Sequence, residues 1–426
     1  MLTAITGINW GDEGKGRMVD LISQEYDIVA RYQGGNNAGH TVKNERGKFV
    51  LNLLPSGILR PNVVCVMGNG MVIDPHHLDG EINKLREQGI EITPANLKIS
   101  DRATITMPYH VEQDGLEEAR LSKTGAQFGS TKRGIAYAYG DKYMKKTLRM
   151  GDLLHLDDAV KKRLVTMVDS KNLVMEGSYN AAPISVDEMW AWLEQYAAIF
   201  KDYICDVGQY LADADAAGKK VLFEAQLGAL RDIDFGIYPY TSSSSTIAAY
   251  APIGAGIPAK RLDSVVGIMK AYSSCVGEGP FVCELFGEEG DRLREAGAEY
   301  GAATGRPRRV GGFDVVASRY GVQMQGATEL ALTKLDVLSG WEKIPVCTGY
   351  EVDGKVIHTF PVETVLERCK PVYEYVEGFS GDISGCRKFE DLPEAARNYV
   401  RYLENAVGCR IGWVSVGAGR EEYIRL

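Results

Sequence analysis

The stretch GINWGDEGKGR, residues 7–17, places four glycines, one lysine and two carboxylates directly after the apolar run MLTAIT, which predicts a strand. A phosphate-binding loop has the pattern G-x-x-x-x-G-K followed by Ser or Thr, whose hydroxyl holds Mg²⁺. Here Asn9 replaces the first glycine and Gly16 replaces the hydroxyl residue. Backbone N–H groups at the start of a helix, together with Lys15, can still bind phosphates. The segment predicts a degenerate P-loop in which Asp12 is the nearest oxygen ligand for Mg²⁺. The alternative is a glycine-rich turn with solvated charges.

A second glycine-rich loop, YQGGNNAGHT at residues 32–41, follows the probable strand YDIVARY. Because ligands bind at the carboxyl ends of the strands in open α/β sheets, we expect the two loops to lie at the same edge. His40 lies in a polar loop without apolar periodicity, which favours a role in the site; a surface histidine without a role is the alternative. The other histidines show no metal-ligand spacing and are interpreted as structural: His76, His77, His110, His155 and His358.

The segment LALTKLD ends in Lys334 and Asp336. A carboxylate that follows a strand can accept hydrogen bonds from both N1–H and the exocyclic amine of guanine, a pair that adenine does not offer. The stem of the lysine can lie flat against the base. Lys-x-Asp also occurs without any function, but beside a phosphate-binding loop it favours GTP over ATP.

The segment GAATGRPRRVGGFD, residues 301–314, places Arg306, Arg308 and Arg309 among glycines, with Thr304 just before them. A run of arginines is often only a solvated charged surface. The flanking glycines and the acidic background favour a loop that binds carboxylates or phosphates through bidentate guanidinium contacts.

Composition limits the class of protein. The chain has 426 residues, 45% of them hydrophobic and 25% charged, which is typical of a globular protein with a sizeable core. Its net charge of −9 disfavours a protein that binds nucleic acid or a membrane surface. The eight cysteines include no C-x-x-C pair, which favours a reducing compartment over a disulfide framework or a zinc site. With no signal-peptide pattern and no apolar run of transmembrane length, we predict a cytoplasmic protein.

Short apolar runs that alternate with helical segments predict an α/β fold with a large, mostly parallel central sheet flanked by helices. Neither an internal repeat nor a low-complexity linker divides the chain, so we predict one α/β unit over residues 1–426. A helix-rich subregion is expected at roughly 110–218. Its last part, Ser185 to Gly218, has continuous helical spacing, with Ser185 and Glu188 as a capping box.

Taken together, the motifs resemble one family. NWGDEGKGR, QGGNNAGHT, FGSTKRGIAYAYGDK, DIDFGIYPYTSSSS, GIMKAYSSCVGEGPF, GAATGRPRR and LTKLDVLSG occur in the order found in adenylosuccinate synthetases, and the resemblance covers essentially the whole chain. It implies a GTP-dependent ligase that joins IMP and L-aspartate into adenylosuccinate, with GDP and phosphate as the other products, in AMP biosynthesis. It also implies a 6-phosphoryl-IMP intermediate, Mg²⁺ and a homodimer.

The resemblance implies three catalytic residues. Asp12 would act as a general base that removes the N1 proton of IMP, so that O6 attacks the γ-phosphate of GTP. His40 would act as a general acid beside the β–γ bridge, and Lys15 would neutralise phosphate charge. Mg²⁺ would be held by Asp12 and the backbone carbonyl of Gly39.

The implied contact residues form three sets. GTP would contact Gly11, Glu13, Gly14, Lys15, Gly16, Arg17, Gly39, His40, Thr41, Arg308, Lys334, Leu335, Asp336, Ser415, Val416 and Gly417. IMP would contact Asp12, Asn37, Ala38, Thr131, Lys145, Leu227, Ser242, Val276 and Arg306. L-Aspartate would contact Ala302, Ala303, Thr304, Gly305, Arg306 and Arg308.

Four positions depart from the family pattern. The usual E-G-A-Q-G reads EAQLG here, so Leu227 occupies the position of a glutamine that faces the purine. Lys145 replaces an arginine that, in the family, reaches the 5′-phosphate bound by the partner subunit. Ala303 replaces a threonine in the aspartate loop, and Pro307 interrupts the arginine run. All four lie on the nucleotide-acceptor and amino-acid sides of the site.

Two alternative functions remain open. The first is a paralogue with the same two-step chemistry on another purine nucleotide or another amino acid. The second is a GTP-binding regulatory protein without ligase activity. The presence of both Asp12 and His40 argues against the regulatory protein, because binding of GTP alone requires neither an acid nor a base.

Overall fold

A computed structural model describes residues 1–44, 47–125, 129–301 and 305–426 of the chain. The strands are β1 (Leu2–Gly7), β2 (Ile28–Arg31), β3 (His40–Asn44), β4 (Gly47–Leu51), β5 (Val64–Met67), β6 (Val72–Ile73), β7 (Leu97–Ser100), β8 (Thr104–Ile105), β9 (Ile204–Cys205), β10 (Val221–Glu224), β11 (Ser264–Lys270), β12 (Ser273–Cys275), β13 (Arg309–Gly311), β14 (Phe313–Asp314), β15 (Glu329–Thr333), β16 (Lys343–Val352), β17 (Lys355–Ile357), β18 (Lys370–Glu377), β19 (Ile411–Ser415) and β20 (Tyr423–Arg425). The α-helices are α1 (Lys15–Ile22), α2 (Pro75–Glu87), α3 (Pro108–Ser122), α4 (Ile135–Met144), α5 (Asp158–Tyr179), α6 (Val186–Phe200), α7 (Val207–Ala216), α8 (Ala251–Ala255), α9 (Gly287–Ala296), α10 (Val315–Gln325), α11 (Glu363–Leu366) and α12 (Glu394–Val407).

Ten strands form the central sheet, in the order β20-β19-β15-β11-β1-β10-β2-β5-β7-β9. Every neighbouring pair is parallel except β19 and β20, which are antiparallel. The prediction of a large, mostly parallel central sheet is therefore confirmed. A smaller sheet of β14, β16, β17 and β18 contains the run IPVCTGYEV, which lies in β16.

The central strands are apolar because both faces of the sheet are covered. All six residues of β1 and all four of β10 are buried, as expected for strands between two helical layers. On one face Ile5 belongs to the same apolar cluster as Met18 of α1. On the other face Ala4 belongs to a cluster with Val207 and Leu211 of α7. The side chains that end each strand are consequently the ones that reach a ligand.

The helix-rich subregion contains α3 to α7, but the prediction of one continuous helical segment from Ser185 to Gly218 was wrong. The Ser185 hydroxyl accepts a hydrogen bond from the Glu188 N–H at 3.3 Å, so α6 begins where the capping pattern predicted. After α6, Ile204 and Cys205 form β9, which pairs with β7 and is the edge strand of the central sheet. Strand pairing at this edge overrides the helical spacing and separates α6 from α7.

The predicted aspartate loop is only partly described, because Ala302, Ala303 and Thr304 lie outside the described residues. Within the described ranges, no helix combines the length and the apolar character needed to span a bilayer. The prediction of one α/β unit over residues 1–426 stays a prediction.

Candidate active site

Many of the predicted site residues follow the carboxyl ends of neighbouring strands in the central sheet. The order β19-β15-β11-β1-β10-β2 places Ser415 and Lys334 towards one side of the degenerate P-loop and the loop with His40 towards the other. The strand β10 lies between β1 and β2, so Glu224 and Leu227 lie between the two glycine-rich loops. The sheet therefore brings the two glycine-rich loops to one edge, as the sequence predicted, and it places Lys334 and Asp336 at the same edge.

The carboxylate of Glu13 is hydrogen-bonded within the P-loop itself. Glu13 accepts hydrogen bonds from the backbone N–H groups of Asn9 at 3.1 Å and Gly11 at 2.8 Å. Its other oxygen lies 2.6 Å from Nζ of Lys15, and both side chains are buried. Thr333 at the end of β15 donates a hydrogen bond to the Glu13 carbonyl at 2.7 Å, which links the loop to the guanine motif. A phosphate that binds Lys15 must therefore share this lysine with Glu13 or displace it.

Asp12 lies at the top of the same loop and faces the arginine segment. Its side chain is 39% exposed, and its Oδ2 lies 3.1 Å from Nη2 of Arg308. The other terminal nitrogen of Arg308, Nη1, donates to Oε2 of Glu299 at 2.9 Å. The structure thus brings together the predicted general base and the end of the predicted aspartate loop.

His40 forms a buried pair with a residue that the sequence reading missed. Its Nδ1 lies 2.5 Å from Oε1 of Glu224, which also accepts a hydrogen bond from the hydroxyl of Ser56 at 2.6 Å, whereas Oε2 of Glu224 accepts from the N–H of Ser56 at 2.7 Å. Burial lowers the pKa of His40, and Glu224 opposes this shift by favouring the protonated ring. Burial also opposes ionisation of Glu224, yet His40, Arg31 and Ser56 lower its pKa. Because Nδ1 faces a carboxylate, Nε2 is the nitrogen available to a ligand.

Arg17 binds two other residues of the predicted GTP set, Ser415 and Gly417. One of its terminal nitrogens donates to the hydroxyl of Ser415 and to the carbonyl of Gly417, both at 2.6 Å. Lys334 donates to the carbonyl of Gly297 at 2.5 Å, and burial lowers its pKa. Burial raises the pKa of Asp336, which lies in the turn after β15. Leu335 and Val416 are core residues, so they contribute only backbone atoms to this side of the site.

A chain of hydrogen-bonded polar side chains links Ser242, a predicted IMP contact, to the second glycine-rich loop. The hydroxyl groups of Ser242 and Ser244 are 3.3 Å apart, and Ser244 donates to Oε1 of Gln33 at 2.9 Å. Gln33 in turn donates to the carbonyl of Gln226 at 2.9 Å. This chain connects Ser242 to the second glycine-rich loop, which also contains Asn37 and Ala38.

Arg231 links two of the predicted IMP contacts, Ser242 and Val276. It accepts a hydrogen bond from the N–H of Ser242 at 2.9 Å through its carbonyl, and its side chain donates to the carbonyl of Val276 at 2.5 Å. Thr131 precedes α4 and Lys145 follows it, and both side chains are exposed. Gly305 and Arg306 are also exposed, and the carbonyl of Arg306 accepts from the N–H of Gly301 at 2.8 Å.

Leu227 and Gln226 point to different loops. The Nε2 of Gln226 donates to the carbonyl of Gly35 at 2.8 Å, so this amide lies against the second loop. Leu227 packs beside Gly11 of the P-loop, where a Cβ on Gly11 would lie 3.6 Å from Cδ2 of the leucine. An apolar side chain therefore stands next to the predicted general base, at the position where the family pattern has an amide.

Unfavourable backbone conformations cluster in this site. Eight non-glycine residues in the described ranges have a positive φ: Asp12, Lys132, Lys145, Asn180, Leu227, Ala298, Lys334 and Asp353. Four of them are predicted site residues, namely Asp12, Lys145, Leu227 and Lys334. Each such residue costs about 1–2 kcal/mol relative to a right-handed backbone. Strain of this kind concentrates where function fixes the identity of a residue, which supports the predicted site.

Glu224, Lys270 and Glu299 also belong to the site, although the sequence did not predict them. The first two end strands that are otherwise apolar, VLFE in β10 and SVVGIMK in β11. A charge at the end of a buried parallel strand is a signal that could have found them. Glu299 lies in an irregular segment before the arginine loop, and no pattern in the sequence indicates its partners.

Comparisons with known proteins decide the family. A family model described as adenylosuccinate synthetase matches residues 4–424. The adenylosuccinate synthetase of Caldanaerobacter subterraneus subsp. tengcongensis is 46% identical over 426 residues, which cover 100% of this chain and 99% of the relative. The chain belongs to the adenylosuccinate synthetase family.

Other relatives agree with this assignment. The adenylosuccinate synthetase of Streptococcus gordonii is 45% identical over 98% of this chain and 96% of its own length. The fully ligated adenylosuccinate synthetase from Plasmodium falciparum has a TM-score of 0.93 at 36% identity, covering 100% of this chain and 99% of that one. A cyanophage S-2L succinoaminodeoxyadenylate synthetase, bound to dGMP and to dATP as an energy donor, has a TM-score of 0.62 at 17% identity over 99% of this chain and 94% of that one, which is a likeness of fold.

Membership confirms the predicted family, the α/β fold and the GTP-dependent ligase class. The family uses GTP, IMP and L-aspartate as substrates in purine biosynthesis. The individual roles of the site residues stay predictions.

Proposed function

We propose that this chain joins IMP and L-aspartate into adenylosuccinate at the expense of GTP, through a 6-phosphoryl-IMP intermediate. The contact between Asp12 and Arg308, at 3.1 Å, carries the proposal. It joins the nucleotide loop to the predicted amino-acid loop at one point, which a protein that only binds GTP does not need.

The proposed steps use residues on both sides of this contact. Asp12 removes the N1 proton of IMP, and the electrons of the lactam pass to O6, which attacks the γ-phosphorus. Lys15 neutralises charge on the phosphates, and His40 donates a proton from Nε2 towards the departing GDP, with Glu224 stabilising the imidazolium. The amine of aspartate then attacks C6 and displaces phosphate.

We also propose Asp12 and the carbonyl of Gly39 as the ligands of Mg²⁺. One partly exposed carboxylate and one backbone carbonyl suit this ion, because Mg²⁺ usually keeps several waters and takes phosphate oxygens as its other ligands. A Cβ added at Gly39 would meet no atom within 4 Å, so the approach to this backbone is open. No group of three or more His, Cys, Asp or Glu side chains in the described ranges offers a metal site, which agrees with a site completed by GTP. When bound, Mg²⁺ would neutralise developing charge on the transferred phosphoryl group.

Phosphate release from GTP tests the proposed function. The protein is mixed with GTP and Mg²⁺, alone, with IMP, and with IMP and L-aspartate, and phosphate and adenylosuccinate are both quantified. We expect stoichiometric phosphate and adenylosuccinate only when all substrates are present. If no purine nucleotide and no amino acid give GTP turnover, the chain is a GTP-binding protein and the proposed function is wrong.

A second candidate is the same chemistry on another purine nucleotide or another amino acid. Leu227 beside Gly11 favours it, because a leucine cannot make the hydrogen bond of the usual glutamine to the purine. Assays of other purine monophosphates and other amino acids, at the same GTP concentration, distinguish the candidates by their kcat/KM values.

We further propose a cytoplasmic homodimer. None of the eight cysteines, all of which are in the described ranges, forms a disulfide, as expected for a reducing compartment. Lys145 is exposed at the end of α4, where it is available to a partner subunit.

A further inference from the structure

The carboxylate of Glu299 is the centre of a buried cluster that no predicted role explains. It is fully buried and lies between α9 and β13, directly before the arginine loop. Its Oε1 accepts hydrogen bonds from Nζ of Lys270 at 2.7 Å and from the hydroxyl of Tyr272 at 2.5 Å. Its Oε2 accepts from Nη1 of Arg308 at 2.9 Å. Burial opposes ionisation of Glu299, yet Lys270, Lys334 and Tyr272 lower its pKa to about 2, so it is a carboxylate at neutral pH.

This cluster joins three parts of the site. Lys270 ends β11 beside the P-loop strand, Arg308 ends the predicted aspartate loop, and Nζ of the guanine lysine, Lys334, lies 4.0 Å from Oε1 of Glu299. A backbone hydrogen bond also joins Glu299 to Arg308, because the carbonyl of Glu299 accepts from the N–H of Arg308 at 2.9 Å. Glu299 therefore fixes both the main chain and the side chain of Arg308.

The guanidinium of Arg308 is divided between two carboxylates of different character. Nη1 faces Glu299, which is fully buried, whereas Nη2 faces Asp12, which is 39% exposed. A buried, multiply hydrogen-bonded contact is costly to break, but the exposed one can be exchanged for another carboxylate. An incoming amino-acid carboxylate can thus take the place of Asp12 on Nη2 while Glu299 holds the rest of the side chain.

We propose that Glu299 is a positioning residue for the amino-acid substrate: it holds Arg308 so that Nη2 passes from Asp12 to a carboxylate of L-aspartate. This inference rests on the proposed function. The exchange also frees the carboxylate of Asp12 to remove the N1 proton of IMP. Binding of the amino acid and deprotonation of the nucleotide would therefore both depend on Arg308.

Kinetics and stability of matched variants separate positioning from mere packing. Glu299→Gln keeps the shape but removes the charge, and it also leaves the buried Lys270 without its counter-ion. The double variant Glu299→Gln/Lys270→Met removes that unpaired charge while the effect on Arg308 remains. Asp314→Asn is the control, since Asp314 is another fully buried carboxylate and caps α10 outside the cluster.

The KM for L-aspartate at saturating GTP and IMP, and the Tm, are measured for each variant. We expect Glu299→Gln to raise this KM about tenfold, equivalent to about 1.4 kcal/mol, with the KM for IMP within about twofold of wild type. The double variant should recover much of the lost Tm and keep the high KM for aspartate. Asp314→Asn should leave the KM for aspartate at the wild-type value.

A wild-type KM for aspartate in Glu299→Gln, or a KM that recovers together with the Tm in the double variant, overturns the inference. In both cases Glu299 would serve only to neutralise Lys270. If Glu299→Gln does not fold, the double variant and Glu299→Asp give the same comparison. A wild-type enzyme that makes no adenylosuccinate would instead contradict the proposed function.

Discussion

Asp12 has a left-handed backbone conformation, and its carboxylate contacts an arginine, Arg308, that a ligand could take over. Its φ is 59°, a region that aspartate and asparagine tolerate better than most residues. Its carboxylate faces Arg308 and open solvent rather than the core. A structural role would not require a carboxylate at this place, whereas a general base would.

Replacement of Asp12 by Asn tests this role without new backbone strain. We expect Asp12→Asn to lower kcat by about 10²–10⁴-fold, the usual contribution of a general base, while GTP binding survives in part. Asp353→Asn is the control, because Asp353 also has a positive φ, of 51°, and is exposed in the turn between β16 and β17. Steady-state kinetics and titration with GTP measure both effects, and an Asp12→Asn enzyme with nearly wild-type kcat would remove Asp12 from the mechanism.

Glu224 should control the pH range in which His40 can donate a proton. The hydrogen bond that Nδ1 of His40 donates to Glu224 raises the pKa of His40 against the effect of burial, so Glu224→Gln should lower that pKa further. A general acid is active below its pKa, and the alkaline limb of the kcat profile should therefore move to lower pH. Asp141→Asn, in the other buried histidine–carboxylate pair, with His110, should leave the limb in place. An unchanged alkaline limb in Glu224→Gln would mean that His40 is not the proton donor.

At the scale of elements, the helix α4 carries predicted acceptor residues on both sides. Thr131 precedes it, and Lys145 forms its C-terminal cap with a φ of 64°. Glycine is the favoured residue at such a cap, so the lysine is kept against the local preference. We predict that the lysine serves to bring its charge to a phosphate of the nucleotide.

Lys145→Gly should change the KM for IMP while it leaves the free energy of unfolding almost unchanged. We expect the free energy of unfolding to stay within about 1 kcal/mol of wild type, because glycine adopts the cap conformation without strain. The KM for IMP should rise about tenfold or more, since a charged hydrogen bond contributes about 1.5–3 kcal/mol. Asn180→Gly at the matching cap of α5, where φ is 52°, should leave the KM for IMP unchanged. Chemical denaturation and initial rates measure the two quantities, and an unaltered KM in Lys145→Gly would argue against a contact with the phosphate.

The central sheet was predictable because its strands are buried on both faces and read as short apolar runs. The positions of Asp12 and His40 followed from the rule that ligands bind at the carboxyl ends of parallel strands, whereas Lys334 was found from the Lys-x-Asp pattern. The helical spacing of residues 185–218 failed where Ile204 pairs with the sheet edge, since such pairing depends on tertiary structure. Glu299 was not predictable, because its partners come from β11 and from the arginine loop, and only the fold brings them together.

In the protein as a whole, the order of strands places the predicted binding motifs next to one another along one edge of the central sheet. The guanine motif of β15 and β19, the P-loop of β1 and the acceptor loop of β2 follow each other along one edge. The proposed homodimer adds Lys145 of a second subunit to these motifs.

Mixing of two impaired variants, assayed at an IMP concentration far below the raised KM expected for Lys145→Ala, tests whether active sites are shared between subunits. Asp12→Asn and Lys145→Ala are unfolded together, refolded and assayed. Because one site of each mixed dimer would then contain both native residues, random pairing should restore about a quarter of wild-type activity. Each variant refolded alone is the control, and no recovery in the mixture would place Lys145 in the site of its own subunit or outside any site.

If O6 of IMP attacks the γ-phosphorus of GTP, this oxygen must leave with the released phosphate. IMP labelled with ¹⁸O at position 6 is converted with GTP and L-aspartate, and the released phosphate is analysed by mass spectrometry. We expect one ¹⁸O atom in each phosphate formed. Unlabelled phosphate, with the ¹⁸O released as water, would contradict it.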